Sequence, residues 1–229
     1  MTKSCEILSI IPARAGSKGL HNKNIIDLLG KPLISWTIEA SLKSKFITKT
    51  IVSSDSDEIL KVSKYYGAHT IKRPNELSED NTPTEPVVRH VLESLKDDFD
   101  FIILLQPTSP LRDYKAIDSA IELLFKQKEN CLISVVKVDN KILKSFIQSP
   151  DGKLIGIHND RSPFINRQDL PSVYSSNGAI YIINTSFFLK KSSLFIPNGT
   201  LPFIMDSNKS LDIDSIEDLK LAEIILKNK

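Results

Sequence analysis

The sequence has few cysteines and no long apolar run. Its two cysteines, Cys5 and Cys131, are too few for a disulfide framework or a cysteine-rich zinc site. Each precedes an apolar run, which predicts a packing role. No apolar stretch approaches the ~20 residues of a membrane span, and the N-terminus lacks the apolar segment of a signal peptide. These absences predict a soluble, cytoplasmic protein.

An excess of basic residues is also lacking. Lys and Arg number 30 against 28 Asp and Glu, so the formal net charge is only +2. Without a polybasic tail, the sequence gives no electrostatic indication of nucleic-acid binding. Three cations, Arg14, Lys18 and Lys23, instead lie close together in the sequence, which favours a small anionic ligand. There is no internal repeat, and 229 residues fit one large domain, with or without an insertion.

The first segment with chemical character is a strand followed by a small, basic loop. Residues 7–11 form an apolar run that is typical of a buried parallel strand. Residues 13–19 are small or cationic, so their backbone N–H groups can surround an anion. The loop matches neither the Walker A motif nor the G-x-G-x-x-G fingerprint. From the loop alone, a polyphosphate site and a solvated basic loop are equally open.

Strand and helix patterns alternate along the first part of the chain. Further strands are predicted at 50–52, 70–71, 101–106, 132–138, 177–183 and 203–205. Helical spacing predicts helices at 32–44, 58–66, 87–95, 114–125 and 215–226. The alternation predicts an α/β fold, with a mostly parallel sheet and helices on both faces. Ligands of such sheets bind beyond the carboxyl ends of the strands, so the loops after Ile11, Val52, Ile71 and Gln106 should share one rim.

The alternation stops after Val138. Residues 139–175 mix charges and prolines with short apolar pieces on either side of Pro150-Asp151-Gly152. This pattern predicts two strands, at 142–147 and 154–157, around a turn. We therefore divide the chain into an α/β domain of residues 1–138 and 176–229 and an excursion of residues 139–175. Such an excursion suits a lid or a partner contact.

Asp212 and Asp214 lie two residues apart, before the last predicted helix. In an extended segment both carboxylates point to one side, and two carboxylates together with phosphate oxygens suit octahedral Mg²⁺. A helix N-cap by Asp214 or Ser215 explains the same residues. Spacing alone favours the cap.

Several motifs occur in a fixed order along the chain. They are IPARAGSKGL at 11–20, Lys23-Asn24, Arg73-Pro74, LLQPTSPLR at 104–112, NGAIYI at 177–182 and Asp212-Ile213-Asp214 before the terminal helix. In this combination the chain resembles the CMP-sialic acid synthetases, or acylneuraminate cytidylyltransferases, over nearly its whole length. LLQPTSPLR and NGAIYI are the specific pieces, whereas the AGSKG loop also resembles that of related nucleotidyltransferases.

The resemblance implies a Rossmann-like sheet with a dimerisation excursion that interlocks the two subunits of a homodimer. It implies a cytidylyltransferase that activates a nine-carbon α-keto acid sugar, such as sialic or legionaminic acid, with CTP and Mg²⁺. The products would be a CMP-sugar and pyrophosphate, and neither nucleic acid nor a membrane is an implied partner. Two alternatives stay open: another sugar nucleotidyltransferase, for example of the CMP-Kdo synthetase type, and a nucleotide-binding module without catalysis.

The resemblance also implies which residues bind CTP. The nucleotide-binding set is Arg14, Gly16, Ser17, Lys18, Lys23, Asn24, Arg73 and Thr82, and the match at Thr82 is loose. The implied catalytic residues are Arg14, Lys18, Asp212 and Asp214. Lys18 would stabilise transition-state charge, while the two aspartates would hold Mg²⁺ and one of them would take the proton of the sugar hydroxyl or of a bound water. For Lys23 and Arg73, taken singly, a solvated surface position is the alternative.

The implied sugar-binding set is Gln106, Lys144, Arg167, Asn177, Tyr181 and Phe195. Amide and phenol groups can bind hydroxyl and N-acyl groups. Lys144 or Arg167, reaching in from the neighbouring subunit, would bind the substrate carboxylate; for Lys144, a place on the dimer surface is the equal alternative. Phe195 corresponds to a hydrophobic wall, but Ser193-Leu194-Phe195 stands here in place of paired aromatics. The choice between N-acetylneuraminate and a bacterial relative such as legionaminate therefore stays open.

Overall fold

The computed structural model describes residues 5–16 and 19–228 of the chain. Ser17 and Lys18, two residues of the predicted phosphate-binding loop, lie outside the described residues. The strands of the described part are β1 Ile7–Pro12, β2 Asp27–Leu28, β3 Lys31–Pro32, β4 Lys49–Ser54, β5 His69–Lys72, β6 Phe101–Leu104, β7 Cys131–Val138, β8 Phe146–Gln148, β9 Leu154–Gly156, β10 Val173–Asn184 and β11 Thr200–Ile204. The α-helices of this part are α1 Leu33–Lys43, α2 Asp57–Tyr65, α3 Thr84–Glu93, α4 Tyr114–Gln127, α5 Thr185–Lys191 and α6 Ile216–Lys227.

Seven strands form one central sheet in the order β11-β7-β10-β6-β1-β4-β5. Every neighbouring pair is parallel except the two made by β10, which runs antiparallel to both β6 and β7. The sheet is therefore mostly parallel, and the predicted α/β fold class is confirmed.

Strand β1 supplies side chains to two hydrophobic cores, one on each face of the sheet. Ile7 and Ile11 pack in the core that contains residues of α1, α2 and α4, whereas Leu8 and Ile10 pack in the core that contains residues of α3 and α5. Successive side chains of a strand point to opposite faces, so a continuous apolar run is what a sheet covered on both faces requires. Each such side chain contributes roughly 1.5–3 kcal/mol on full burial.

The long helix α4 follows the predicted pattern. Its apolar stripe is buried and consists of Ala116, Ile117, Ala120, Ile121 and Leu124. Asp113 caps the amino end of the helix, because its carboxylate accepts a hydrogen bond from the Ala116 N–H at 2.9 Å. Local sequence pattern and tertiary packing therefore agree over the whole element.

Three features of the sheet and its surroundings differ from expectation or were not predicted. The apolar run of β10 does not indicate in which direction the strand runs. The chain leaves β7 and begins β10 at the same end of the sheet, so β10 runs antiparallel to its neighbours β6 and β7. Helix α5 begins directly after β10, where Asn184 accepts a hydrogen bond from the Phe187 N–H at 3.1 Å. The small hairpin of β2 and β3 turns through Leu29 and Gly30, both at positive φ. This hairpin was not predicted from the sequence.

The predicted excursion forms its own two-stranded sheet. Strands β8 and β9 pair antiparallel across the predicted turn. Residues 140–144 form a 3-10 helix, however, so the strand predicted over 142–147 is confirmed only at its carboxyl end. Strand β10 begins at Val173, which pairs with Val138, so the boundary drawn at 175 falls inside β10. The division into two domains stays a prediction.

None of the helices in residues 5–16 and 19–228 is both long enough and apolar enough to cross a lipid bilayer.

Candidate active site

A cleft of about 310 Å³ lies beyond the carboxyl ends of β1, β5 and β6. This is the rim where parallel sheets bind ligands. The predicted site residues that line it are Arg14, Gly16, Lys23, Asn24, Arg73, Thr82, Gln106, Asp212 and Asp214. Residues from the first quarter of the chain and from its last twenty positions thus meet in one cavity.

The basic loop after β1 is held in place by two side chains. The Ala15 N–H donates to Asp55 Oδ1 at 3.0 Å, and the Asn24 amide donates to the Arg14 carbonyl at 2.8 Å. Asn24 is buried and lines the cleft. Through its hydrogen bond to Arg14, Asn24 supports the loop. Its contact with the nucleotide stays a prediction.

Two arginines bring positive charge to this side of the cleft. Arg14 forms an ion pair with Asp80 at 2.6 Å. Arg73 is 4% exposed, so the alternative of a solvated loop residue is wrong for it. Burial lowers the pKa of Arg73, the attraction of Asp55 at 3.8 Å opposes that shift, and nearby Arg14 adds to it. Within the described residues the Arg73 Nε has no hydrogen-bond partner, which leaves a buried donor available to an anion.

The aspartate segment is anchored between its two carboxylates. Ile213 is fully buried in a third hydrophobic cluster, together with Leu111 and Leu219. Its N–H donates to the Thr108 carbonyl at 2.9 Å. Asp212 and Asp214 flank this anchor and both line the cleft.

The capping alternative is resolved in favour of Ser215. The Ser215 hydroxyl accepts a hydrogen bond from the Asp218 N–H, and the Asp218 side chain accepts from the Ser215 N–H, which completes a capping box for α6. Asp214 does not cap the helix, so its carboxylate stays available to the cleft.

The two aspartates differ in their surroundings. Burial raises the pKa of Asp212, a hydrogen bond from Thr108 opposes the rise, and the negative charge of Asp214 adds to it. The Oδ1 atom of Asp212 is buried and, within the described part of the chain, has no hydrogen-bond partner. Asp214 is more exposed and accepts a 2.8 Å hydrogen bond from Lys23 Nζ.

A second cavity of about 220 Å³ adjoins the cleft. The two share Thr84 and Gln106. Its remaining lining residues are Glu85, Leu104, Ile133, Tyr181, Ser193, Leu194 and Phe195. Three predicted sugar-binding residues, Gln106, Tyr181 and Phe195, therefore lie together.

The other predicted sugar-binding residues lie elsewhere in the single chain. Asn177 is buried, and its amide bonds Ser134 at 2.6 Å and Ser210 at 2.9 Å rather than facing either cavity. Arg167 forms an ion pair with Asp139 at 3.3 Å and lines a separate cavity. Lys144 ends the 3-10 helix of the excursion. The substrate roles of these three residues stay predictions.

Three residues in or beside the two cavities were not among the predicted site residues. Asp55 follows β4 and orients the basic loop, Asp80 pairs with Arg14, and Glu85 opens the second cavity at the amino end of α3. Asp55 had a usable signal, because it lies at the carboxyl end of a predicted strand on the expected rim. Asp80 and Glu85 are in a polar stretch in which nothing distinguished them from solvated residues.

Comparison with known proteins gives consistent relatives. A family model described as cytidylyltransferase matches residues 8–229. The chain is 38% identical, over 98% of its length, to an N-acylneuraminate cytidylyltransferase of Escherichia coli, but spans only 53% of that protein. It is 33% identical to a pseudaminic acid cytidylyltransferase of Campylobacter jejuni, with 96% of each covered. It is 34% identical to a CMP-N,N'-diacetyllegionaminic acid synthase of the same species, covering 98% of this chain and 96% of the relative.

Solved structures with the same fold are more distant in sequence. A CMP:2-keto-3-deoxy-manno-octonic acid synthetase complexed with CTP superposes with a TM-score of 0.72 at 15% identity, covering 97% of this chain and 99% of the other. A 4-diphosphocytidyl-2C-methyl-D-erythritol synthase of Anaerococcus prevotii gives 0.70 at 16% identity, covering 98% and 97%. These two likenesses establish a shared fold, and the family match over nearly the whole chain establishes that this protein belongs to the cytidylyltransferase family.

Proposed function

We propose that this protein transfers a cytidylyl group from CTP to a nonulosonic acid, a nine-carbon α-keto acid sugar, and releases pyrophosphate. The single observation that carries the proposal is the cleft in which the basic loop after β1 meets the aspartate pair that precedes α6. Relatives named for sialic, pseudaminic and legionaminic acid support this class of sugar.

The reaction needs little covalent chemistry from the protein. The anomeric hydroxyl oxygen of the sugar forms a bond to the α-phosphorus of CTP, and the bond from that phosphorus to the bridging oxygen breaks. Pyrophosphate leaves with the electron pair of that bond, and the hydroxyl proton passes to a carboxylate of the cleft. Positioning of the two substrates and neutralisation of phosphate charge supply most of the rate enhancement in such transfers.

Cations around the cleft neutralise the triphosphate. Arg14 and Lys23 each pair with a carboxylate that a phosphate oxygen can replace, since both pairs are partly exposed. Arg73, a buried arginine, also lines the cleft. We assign Ser17 and Lys18, which lie outside the described residues, to the same triphosphate because they belong to the basic loop. We propose that Lys18 stabilises the negative charge that develops in the transition state.

We propose Mg²⁺ as the metal, held by Asp212 and Asp214. The donor set fits, because Asp212 Oδ1 is buried in the cleft without a hydrogen-bond partner in the described part of the chain. That part holds no group of three or more His, Cys, Asp or Glu side chains suited to a metal. Phosphate and water oxygens would therefore complete the shell, as Mg²⁺ commonly requires. When bound, Mg²⁺ supplies charge neutralisation to the phosphates and lowers the pKa of the sugar hydroxyl.

The sugar is assigned to the second cavity. Gln106 spans the boundary between the two cavities, which is where the sugar hydroxyl and the α-phosphate must meet. Tyr181 and Phe195 provide a phenol and an apolar wall for hydroxyl and N-acyl groups. Asn177 Oδ1 accepts a hydrogen bond from the Ala179 N–H at 3.2 Å and so holds the backbone at Gly178, next to Gln106. Direct contact of the Asn177 amide with the sugar would require exchange of its internal hydrogen bonds.

We propose a homodimer built on the excursion. Strands β8 and β9 expose five large apolar side chains: Phe146, Ile147, Leu154, Ile155 and, just after β9, Ile157. So many exposed apolar side chains on one small hairpin are typical of a protein–protein interface. In this homodimer we assign Lys144 or Arg167 of one subunit to the substrate carboxylate in the sugar cavity of the other subunit.

Pyrophosphate release tests the proposed function. The purified protein is assayed in Mg²⁺ with CTP, ATP, GTP or UTP and with N-acetylneuraminate, legionaminate, pseudaminate or Kdo. We expect turnover with CTP and at least one of the three nonulosonates. Preference for a purine triphosphate, or turnover with Kdo alone, contradicts the proposal. Tight CTP binding without turnover on any of the four sugars identifies a nucleotide-binding module instead.

A further inference from the structure

Arg112, at the end of the LLQPTSPLR motif, is buried behind the boundary of the two cavities. Its side chain is 1% exposed and lines neither cavity. Its guanidinium donates from Nη1 to the Ala179 carbonyl at 2.9 Å and to the Gln106 carbonyl at 3.3 Å. Nη2 donates to the Thr37 hydroxyl at 2.7 Å. One side chain therefore connects β10, the loop after β6, and helix α1.

The burial of this charge is costly and not compensated by a direct ion pair. No carboxylate of the described residues forms an ion pair with Arg112, and its Nε has no hydrogen-bond partner there. Burial lowers the pKa of Arg112 to about 9, with the charge of Asp113 opposing the shift, so the group still carries its charge at neutral pH. An apolar side chain of similar volume would often stabilise such a site more. Packing alone therefore does not account for an arginine here.

Arg112 reaches the backbone of Gln106 both directly and through Thr37. The Gln106 carbonyl also accepts from the Thr37 hydroxyl at 3.3 Å and from the Ser109 N–H at 3.4 Å. A backbone position fixed from three directions restricts where its side chain can point. Gln106 and Thr84 are the two residues that line both cavities.

The second carbonyl held by Arg112 belongs to Ala179, next to Gly178. Gly178 has φ of +73°, and a Cβ there would lie 2.7 Å from Gln106 Oε1 and 3.9 Å from Asp212 Oδ2. The Gln106 amide and the Asp212 carboxylate thus converge over this glycine. Arg112 fixes the backbone on both sides of the place where they meet.

We propose that Arg112 is a positioning residue whose buried guanidinium locks the Gln106 amide at the boundary between the nucleotide cleft and the sugar cavity. This inference rests on the proposed function, because the lock matters for aligning the sugar hydroxyl with the α-phosphate. Loosening it should impair use of the sugar and the rate of transfer while CTP binding is retained.

Thr37→Val tests the lock with little change in volume, because it removes the hydroxyl that accepts from Arg112 and donates to Gln106. Thr50→Val is the matched control: it removes an equally buried hydroxyl, bonded to Ser41 at 2.8 Å, without touching Gln106. We expect Thr37→Val to lower kcat/KM for the sugar about tenfold, equivalent to about 1.4 kcal/mol, with the Kd for CTP within about twofold of the unmodified protein. Thr50→Val should lower the melting temperature but leave kcat/KM for the sugar and the Kd for CTP unchanged.

Arg112→Lys, which keeps the charge and loses the planar fork, should show the same split as Thr37→Val and a larger loss. In a Gln106→Ala background, Thr37→Val should have no further kinetic effect. Equal losses for sugar and CTP, full additivity in that double variant, or a kinetic loss in Thr50→Val as large as that in Thr37→Val would each overturn the proposal.

A spectroscopic readout separates failure of this inference from failure of the proposed function. The Gln106 side-chain amide signals in a ¹⁵N–¹H spectrum should shift and broaden in Thr37→Val and stay in place in Thr50→Val. This comparison needs no turnover. Unchanged Gln106 signals in Thr37→Val overturn the lock, whereas absence of turnover in the unmodified protein overturns only the proposed function.

Discussion

Lys23 donates a hydrogen bond from Nζ to Oδ1 of Asp214 at 2.8 Å, across a sequence separation of 191 residues. The lysine is 15% exposed and the aspartate 73% exposed. Ion pairs with one solvated partner contribute on the order of 0.2–1 kcal/mol. The pair therefore keeps a cation and an acid adjacent in the cleft, yet a phosphate or a metal ion can replace either partner at small cost.

Replacement of Lys23 should weaken CTP binding without unfolding the protein. We expect Lys23→Met to raise the Kd for CTP about tenfold, the effect of losing a charge-assisted hydrogen bond to phosphate, measured by titration calorimetry. Lys31→Met is the matched control, because Lys31 is 21% exposed, pairs with Glu39 at 2.7 Å and lies outside the cleft. Unchanged CTP affinity in Lys23→Met would remove Lys23 from the nucleotide site.

The two glycines of the basic loop should respond differently to alanine. A Cβ at Gly19 would collide with the carbonyl oxygen of Asp214, whereas a Cβ at Gly16 would meet no atom of the described residues within 4 Å. Gly19→Ala must therefore move either the loop or the aspartate segment. We expect it to lower kcat/KM roughly 100-fold, as small displacements of catalytic groups do, while Gly16→Ala stays within severalfold of the unmodified protein. Steady-state kinetics with CTP varied would check this, and equal behaviour of the two variants would argue against a tight contact at Gly19.

Asp212→Asn should separate activity from stability. It removes a predicted metal ligand, so we expect turnover in Mg²⁺ to fall at least ~100-fold. Because burial raises the pKa of Asp212, holding its charged form at neutral pH is unfavourable to the fold, and the neutral amide should unfold at an equal or higher temperature. Calorimetry and the pyrophosphate assay measure the two effects, and a near-normal rate in Mg²⁺ would show that the metal assignment is wrong.

The raised pKa of Asp212 also predicts opposite pH dependences for metal binding and stability. Since the folded pKa lies above the unfolded value, the folded protein binds more protons between the two, so this group's contribution favours folding as pH falls through that window. Metal binding requires the ionised carboxylate, so the Mg²⁺ affinity measured in the presence of CTP should decrease as pH falls through the same window. Titrations from about pH 4 to pH 7 check both trends, and their persistence in Asp212→Asn would assign them to another group.

A charge placed on the excursion should dissociate the proposed homodimer. Ile147 on β8 is 53% exposed and Ile224 on α6 is 57% exposed, so they form a matched pair of exposed isoleucines on different surfaces. We expect Ile147→Glu to sediment as a monomer, because a charged group within an apolar interface is strongly unfavourable. We also expect it to lose activity, because the sugar cavity would then lack Lys144 and Arg167 of the other subunit. Ile224→Glu should sediment as the unmodified protein does. A monomeric unmodified protein with full activity would contradict the proposed dimer.

Much of the architecture could be predicted because local patterns encode it. The apolar run of β1, the stripe of α4 and the alternation of strands with helices predict a covered, mostly parallel sheet, and the polar loops at strand ends predict the rim that carries the site. The motifs around Gly16, Gln106 and Asp214 carry the family resemblance, which named half of the residues that line the cleft. The periods of the strands and helices and the order of these motifs belong to the chain itself and need no long-range contact to be recognised.

Other features depended on residues that are distant in sequence. An apolar run has no direction, so the antiparallel course of β10 arose only from how the chain re-enters the sheet. Arg73 and Arg112 are ordinary loop arginines in sequence, and only their neighbours in space make them buried cations. The choice of Ser215 over Asp214 as helix cap also depended on the geometry of one turn. Local periodicity determined which segments form strands and helices, whereas burial and charge pairing, which depend on all surrounding segments at once, were decided by the tertiary structure.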